Sequence, residues 1–337
     1  MSVGYMINRA VLRADQLCAG AHLRWFERGG CLITVFLHGL FLDEEEVRQD
    51  WCYPQQGTTV EHLRRLIVYF QSAGYRFVSP ADLLRPETLE PKGKHALLTF
   101  DDGYFNNQRA LALLQRYRVP ALFFVNAGLV QEGKAHWYDV LYRARRRQGV
   151  PVEEACREVA GRVQATTEAI ESRLARETGL KEFKPASDVD RVFTPAELRA
   201  FAAHPEVFIG NHCWTHAFLP AYSTEEARAE IVRGHNGLRD ITGKPPLAIG
   251  YPSGEWTAEA LRCCEELGLR LGFSTLARKE YLPAVRDSKR RLTLGRFCLW
   301  GNTEIESQCQ FMRSDVMGHL LYEQTVRALK RLAGRRE

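Results

Sequence analysis

The chain has 337 residues, 45% of them hydrophobic and 26% charged, with 46 Lys and Arg against 41 Asp and Glu for a formal net charge of +5. This is a globular composition, long enough for one barrel-sized domain or two smaller ones, and it excludes a fibrous or disordered chain. Basic residues gather only at Arg143, Arg145, Arg146 and Arg147 and at Lys330, Arg331, Arg335 and Arg336, which is no footprint for nucleic acid.

Residues 8–27 space Val11, Ala14, Cys18, Ala21 and Trp25 by three or four, with Arg9, Arg13, Asp15 and Arg24 mostly elsewhere on the wheel, and so predict an amphipathic helix. Two placements stay open for it: docked on the core, or lying on an anionic membrane surface through Trp25 and Phe26. Strand-like apolar runs follow at 31–37, 77–78, 96–100, 121–125, 207–209, 247–251, 271–274 and 292–299, with helical patterns near 58–73, 105–117, 195–203, 223–241 and 256–267. The alternation predicts parallel βα units, hence an α/β protein with a doubly wound sheet or a barrel. Thr194-Pro195-Ala196-Glu197 carries a capping box with proline in the first turn, and Gly74 and Gly268 stand where helices should stop. From 152 to 174 the apolar spacing is helical throughout and Gly179 ends it, which predicts a long helical insertion; residues 181–190 are the best loop candidate.

Nine cysteines, an odd number with no C-x-x-C, read as reduced thiols. Arg9, Arg13 and Asp15 interrupt what an export signal would need as an apolar stretch, and no run of 18 apolar residues occurs. The expectation is a cytoplasmic protein, peripheral at the inner face of the membrane if the first helix lies on lipid.

Four strand ends carry candidate chemistry. Leu97-Leu98-Thr99-Phe100 runs into Asp101-Asp102-Gly103; ligands in α/β folds bind beyond the carboxyl ends of strands, and two adjacent acids repel unless a cation lies near or their jobs differ. A solvated Asp-Gly turn is the alternative. His212 and His216, after a second strand, have the i, i+4 spacing of zinc, cobalt or nickel ligands, with Cys213 turned away from the face they share. Tyr251-Pro252-Ser253-Gly254 is a turn able to bring backbone N–H groups to a ligand, and His38 ends the strand Ile33-Thr34-Val35-Phe36-Leu37.

In this order and spacing the residues resemble the polysaccharide deacetylases, the family 4 carbohydrate esterases with the nodulation-type chitooligosaccharide deacetylase domain. Thr99-Phe100-Asp101-Asp102-Gly103 is similar to the first family motif, His212 to His216 to the second, and Tyr251-Pro252-Ser253-Gly254 to the third in its Tyr-Pro-x-Gly form; His136-Trp137-Tyr138-Asp139 and Leu294-Gly295-Arg296-Phe297 extend the likeness over about residues 31–300. The resemblance implies a distorted (β/α)7-type barrel at 31–305 with a helical insertion at about 137–190, flanked by the amphipathic helix at 1–30 and a C-terminal helical tail at 306–337. It implies a divalent metal, zinc before cobalt or nickel, on Asp102, His212 and His216, with Asp101 as general base and an oxyanion shared between metal and a backbone N–H near Tyr251. Tyr251, Pro252 and Trp137 would bind substrate. The late Leu-x-x-His motif that supplies the acid in many members is missing, since no histidine occurs between His235 and His319; in the Tyr-Pro-x-Gly subgroup the histidine ending the first strand takes its place, here His38. The third motif lacks its Arg, and Arg296 is the candidate for orienting Asp101. The implied activity is N-deacetylation of an amino sugar in a glycan or a lipid-linked precursor. The alternatives are hydrolysis of a non-sugar amide, ureide or formamide, and a glycan-binding module without catalysis, against which the complete ligand set argues.

Overall fold

The computed structural model describes residues 3–179 and 182–316. Nine strands form one sheet: β1 Cys31–Leu37, β2 Tyr75–Phe77, β3 Lys94–Phe100, β4 Ala121–Val125, β5 Val207–Asn211, β6 Ala248–Gly250, β7 Leu271–Phe273, β8 Glu280–Tyr281 and β9 Phe297–Cys298. The order is β7-β6-β5-β4-β3-β1-β8, with β2 also on β3 and β9 also on β1. All pairs are parallel except β8 on β1. Leu294 bridges Phe273 on β7 while Phe297 and Cys298 pair with Val35 and Phe36 on β1. Residues 294–298 thereby join the two ends of the curled sheet, and the architecture is the distorted (β/α)7-type barrel expected.

Side chains alternate across the barrel wall with the period of two that a strand imposes. Ile33, Val35, Leu37, Ala96, Leu98, Phe100, Phe123 and Val125 face outward into a core shared with Leu63, Leu66, Ile67 and Phe70 of the helix Val60–Ser72. Leu32, Leu97, Leu122, Phe124, Ala248, Leu271, Phe273 and Leu294 face inward and fill the lumen. The capping box at Thr194 and Glu197 forms, and Gly74 and Gly268 take left-handed backbones.

Several expectations are corrected. Residues 292–299 are not one strand: 290–293 form a 3₁₀ turn and only Phe297–Cys298 is paired as a strand. The helix expected at 105–117 opens as a 3₁₀ segment, Phe105–Ala110. The insertion is three helices, Trp137–Arg147, Val152–Ala160 and Thr167–Thr178, because Gly161 closes the second and the Thr166 side chain caps the third by accepting from the Ala169 N–H at 3.2 Å. The first helix, Val3–Phe26, buries the opposite side from the one its periodicity suggested. It lies on the helix Ile305–Arg313, with Gly20 close to Gln310, buries Asp15 and Ala19, and leaves Ala14, Cys18, Ala21, Trp25 and Phe26 exposed. Ile305–Arg313 itself, expected to begin a tail, sinks Ile305, Cys309 and Met312 into the outer core. Residues 317–337, with His319 and the basic run from Lys330 to Arg336, and the side chains of Arg9 and Arg13 lie outside the described residues.

Glu27 ties the end of the first helix to the barrel. Its carboxylate accepts from Arg313 Nε and Nη2, each at 2.9 Å, from Lys94 Nζ at 2.6 Å and from the Tyr75 hydroxyl at 3.2 Å. Burial alone would raise its pKa, but the two cations bring it down to about 2. A depressed folded pKa stabilises the fold above the unfolded value, and that stabilisation fades as pH falls from 4.5 towards 2. Glu27→Gln should therefore cost about 2 kcal/mol at neutral pH, a figure discounted for partial solvent screening, and should flatten the acid limb of stability in urea titrations between those pH values. Parallel acid limbs in the two proteins would contradict this.

Candidate active site

The parallel register sets the site at one mouth. Leu37 is opposite Phe100, and the Asp101 N–H donates to the Leu37 carbonyl at 2.9 Å, so His38 leaves β1 level with Asp101. Asp102 then adopts a left-handed backbone, φ 75°, followed by Gly103 at φ 67°, where a Cβ would lie 2.8 Å from Val125 Cγ1. Only glycine fits there, and the turn it permits places both acid side chains at the mouth.

The adjacent carboxylates have different surroundings. Asp101 is gripped by Arg296, Nη1 to Oδ1 at 2.6 Å and Nη2 to Oδ2 at 2.8 Å, a bidentate pair in which the arginine is wholly buried. Arg296 also donates to Thr99 Oγ1 and the Ser274 carbonyl, and its guanidinium lies over the rings of Phe36 and Phe124. Burial would raise the Asp101 pKa; the guanidinium and the nearby imidazoles overcome it and hold the group below the ordinary range. Asp102 Oδ2 accepts from the Tyr138 hydroxyl at 2.6 Å and from Gln55 Nε2 at 3.0 Å. Its Oδ1 is buried with no hydrogen-bond partner and faces His212 Nε2 at 3.3 Å and His216 Nε2 at 3.4 Å. Burial opposes ionisation here too, yet His38 keeps Asp102 well below the ordinary range.

The histidines are set by a turn rather than a helix. His212 follows β5; its Nδ1–H donates to the Gly250 carbonyl at 2.7 Å, which leaves the Nε2 lone pair aimed at Asp102. Cys213 and His216 take left-handed backbones, φ 63° and 62°. The turn is held from behind by Glu230 on the helix Thr224–Thr242, whose Oε2 accepts from the Trp214 N–H, the Thr215 N–H and the Thr215 hydroxyl at 2.9–3.1 Å. Burial lowers the pKa of His216 to about 3, so its imidazole is neutral. A carboxylate oxygen and two imidazole nitrogens within 4.8 Å of one another, with a buried oxygen lacking any donor, are a set of lone pairs that a divalent cation fits.

His38, expected at this mouth, is there: its Nδ1–H donates to Gln56 Oε1 at 2.6 Å. Cys213 is turned away, buried beside Tyr251 and Cys264. The three residues expected to bind substrate are all buried. Tyr251 is fully buried and its hydroxyl donates to the Leu292 carbonyl at 3.0 Å; its N–H, expected near an oxyanion, is donated to the Phe273 carbonyl at 3.0 Å, because β6 continues its ladder to β7. Trp137 is core of the insertion, packed with Tyr104, Tyr138 and Leu141, and Pro252 is buried in the 3₁₀ turn after β6. The residue before this motif, Gly250 at the end of β6, supplies the carbonyl that orients His212.

Sequence reasoning missed four residues. Gln55 and Gln56, in a Pro54-to-Gly57 turn that reads only as a loop, reach Asp102 and His38. Tyr138 sits inside the tetrad at 136–139 but was not singled out. Glu230 had a legible signal: it is a carboxylate among the buried positions Ala227, Ile231 and Gly234 of its helix. A hollow of about 530 Å³ opens at the opposite end of the barrel beside Leu122, Phe208 and Ala248, away from these groups.

A curled parallel sheet carrying an Asp-His-His cluster and a second, arginine-bound aspartate at its carboxyl end defines a polysaccharide deacetylase. Residues 88–272, more than half of the chain, match the family model described as polysaccharide deacetylase, and the chain belongs to that family, whose members hydrolyse the amide bonds of N-acetyl sugars. Among solved structures, deacetylase PplD of Streptococcus pyogenes in complex with acetate is 17% identical, over 84% of this chain and 99% of that one, with a TM-score of 0.56. IcaB from Ammonifex degensii is 17% identical over 85% and 99%, with a TM-score of 0.53. A de-N-acetylase from Aggregatibacter actinomycetemcomitans is 16% identical over 81% and 97%, with a TM-score of 0.55. These likenesses establish the shared fold. No curated protein matches the chain.

Arg296→Met should leave Asp101 charged, buried and unpaired, at a cost of about 3–5 kcal/mol in denaturant unfolding. Adding Asp101→Asn should restore much of that loss, because the stranded charge goes with it. A double variant no more stable than the single one would place the cost elsewhere.

Proposed function

We propose that the protein removes the acetyl group from an N-acetylated amino sugar of a glycan or its lipid-linked precursor, using a divalent metal ion, most simply zinc, on Asp102, His212 and His216. The observation that carries this reading is Asp102 Oδ1: a buried acceptor with no donor, facing two imidazole nitrogens, one peptide unit from an aspartate tied to arginine. A divalent ion there supplies positive charge that acidifies water and polarises an amide oxygen.

The chain's own residues supply the proton transfers. Asp101 accepts the proton of the attacking water; Arg296 occupies one acceptor position on each oxygen and leaves others for that work. His38 protonates the leaving nitrogen, a poor anion, and Gln56 fixes its ring by holding Nδ1, which leaves Nε2 free to face the substrate. Tyr138 and Gln55 hold Asp102 by the oxygen that does not face the histidines. We further place the reaction in the cytoplasm at the inner face of the membrane, a reading supported by nine free thiols and by the exposed Trp25 and Phe26 beside Arg24 and Arg28.

Acetate release measured across N-acetylglucosamine oligomers and simple non-sugar amides and formamides tests the substrate class; release from the non-sugar amides alone would overturn it. Asp101→Asn should keep metal and fold and lose about 10²–10⁴-fold in turnover, whereas His212→Ala and His216→Ala should lose both activity and bound metal by elemental analysis. Unchanged metal content in both histidine variants would refute the site. His38→Ala should lower kcat and remove the alkaline limb of its pH profile; an unaltered limb would assign the acid to another group.

A further inference from the structure

The mouth that holds the chemistry offers a sugar ring little bare apolar surface. Tyr251 and Trp137 are buried, and Tyr138 is stacked on His136 with ring centroids 4.8 Å apart. Among the exposed large hydrophobic residues described, Trp25 and Phe26 belong to the first helix, Val152 to the insertion and Leu247 to the amino end of β6, and Leu42, in the loop after β1, has no ring to stack on a sugar. Trp51 already spends its indole N–H on Gln49. Trp300, 45% exposed, is different.

Its position follows from register. Phe36 is opposite Cys298, and the Leu299 N–H carries the ladder on to the Phe36 carbonyl at 3.0 Å, so two residues further Trp300 comes level with His38. Phe297 and Leu299 lie in the outer core with Val35 and Leu37, while Arg296 points into the lumen. Alternation puts Trp300 on the lumen side, at the rim of the mouth.

Its backbone is fixed with unusual care. The Trp300 N–H donates to Gln308 Oε1 at 2.8 Å and its carbonyl accepts from Gln308 Nε2 at 2.7 Å, from a glutamine that is itself buried. The Gly301 N–H donates to the Gln56 carbonyl at 2.8 Å, and a Cβ on Gly301 would lie 2.1 Å from the Gly57 carbonyl oxygen. The segment is thus locked to the loop that carries Gln55 and Gln56. A backbone pinned by a buried amide while its indole stands in water gains the fold little hydrophobic energy. It does remove in advance the ordering cost of a contact made later.

Resting on the deacetylase reading above, we propose that Trp300 is a substrate-binding residue: the indole face on which the C–H face of an N-acetylhexosamine ring stacks beside His38. The polarised C–H bonds of a pyranose meet the electron-rich ring face, as the positive edge of one aromatic ring meets the face of another.

The test is steady-state deacetylation of β-1,4- and β-1,6-linked N-acetylglucosamine pentamers by the full chain, with calorimetric binding of the deacetylated pentamer as a readout without turnover. Trp300→Ala should raise KM about three- to tenfold and weaken product binding in proportion, with kcat, metal content and pH profile kept. Trp300→Phe should recover most of the loss. If instead Trp300 only props the Gln55–Gln56 loop, its loss would lower kcat and shift the pH profile, and that outcome overturns the proposal, as does an unchanged KM. A wild-type protein that releases acetate from neither pentamer overturns the deacetylase reading and the platform together; wild-type release with unaltered kinetics in Trp300→Ala overturns the platform alone.

Discussion

Arg296 and Asp101 meet as charges inside the barrel, where exposure falls to 0% and 3%, and the site depends on how that burial is compensated. Taking a guanidinium and a carboxylate out of water costs several kcal/mol per ion unless geometry and further hydrogen bonds return it. Here both carboxylate oxygens are bonded, two further guanidinium donors find Thr99 and Ser274, and the rings of Phe36 and Phe124 cover the flat faces. The pair also does what the short closing strand does not. Residues 294–298 reach β7 through one bridge and β1 through two paired residues, so a charged clasp from that segment to β3 supplies much of the closure. One interaction shuts the barrel and fixes the aspartate at its mouth.

The same arginine separates the functions of two neighbouring acids. Without it, Asp101 and Asp102 would compete for any cation between them, and repulsion would push one towards the neutral form. With Asp101 neutralised from below and Asp102 bonded at Oδ2 by Tyr138 and Gln55, a single oxygen, Asp102 Oδ1, is left to face the histidines. The division is set by which elements lie behind each carboxylate: the closing strand behind one, the insertion and the 53–57 loop behind the other.

How far the sequence reveals this follows from the range of each interaction. The strands at 31–37 and 121–125 were legible to the residue because a wall buried on both faces is written as an unbroken apolar run. The pairing of His212 with His216 was legible from spacing, while Asp102 and Arg296 were joined to them through a family resemblance. The closing strand was misread because its apolar residues are interrupted by a 3₁₀ turn that only the long-range bridge to Phe273 explains. The first helix was misread because its docking face is chosen by small residues, Ala19 among them, that carry little hydrophobic signal. Tyr251 and Trp137 were assigned by motif membership, which cannot distinguish a side chain facing substrate from one that packs behind the backbone doing the work.

Backbone strain marks the same mouth independently of any motif. Seven described non-glycine residues have left-handed backbones, and Gln55, Asp102, Cys213, His216 and Ser253 are five of them. Such conformations cost about 1–3 kcal/mol each and persist only where the surroundings over-determine them. The restraints are visible: Glu230 grips the turn that contains Cys213 and His216, Asn211 accepts the Cys213 N–H at 3.1 Å, and Gly103 gives Asp102 room to turn. Gln55 lies in a loop whose Tyr53 N–H is held by Asp139 at 2.9 Å, the aspartate that also accepts the Tyr104 hydroxyl. Glu230 and Asn211 hold the turn of Cys213 and His216 and Gly103 gives Asp102 its room, so the strain at this end of the barrel is tied to the same restraints that aim Asp102 and the two imidazoles at one point.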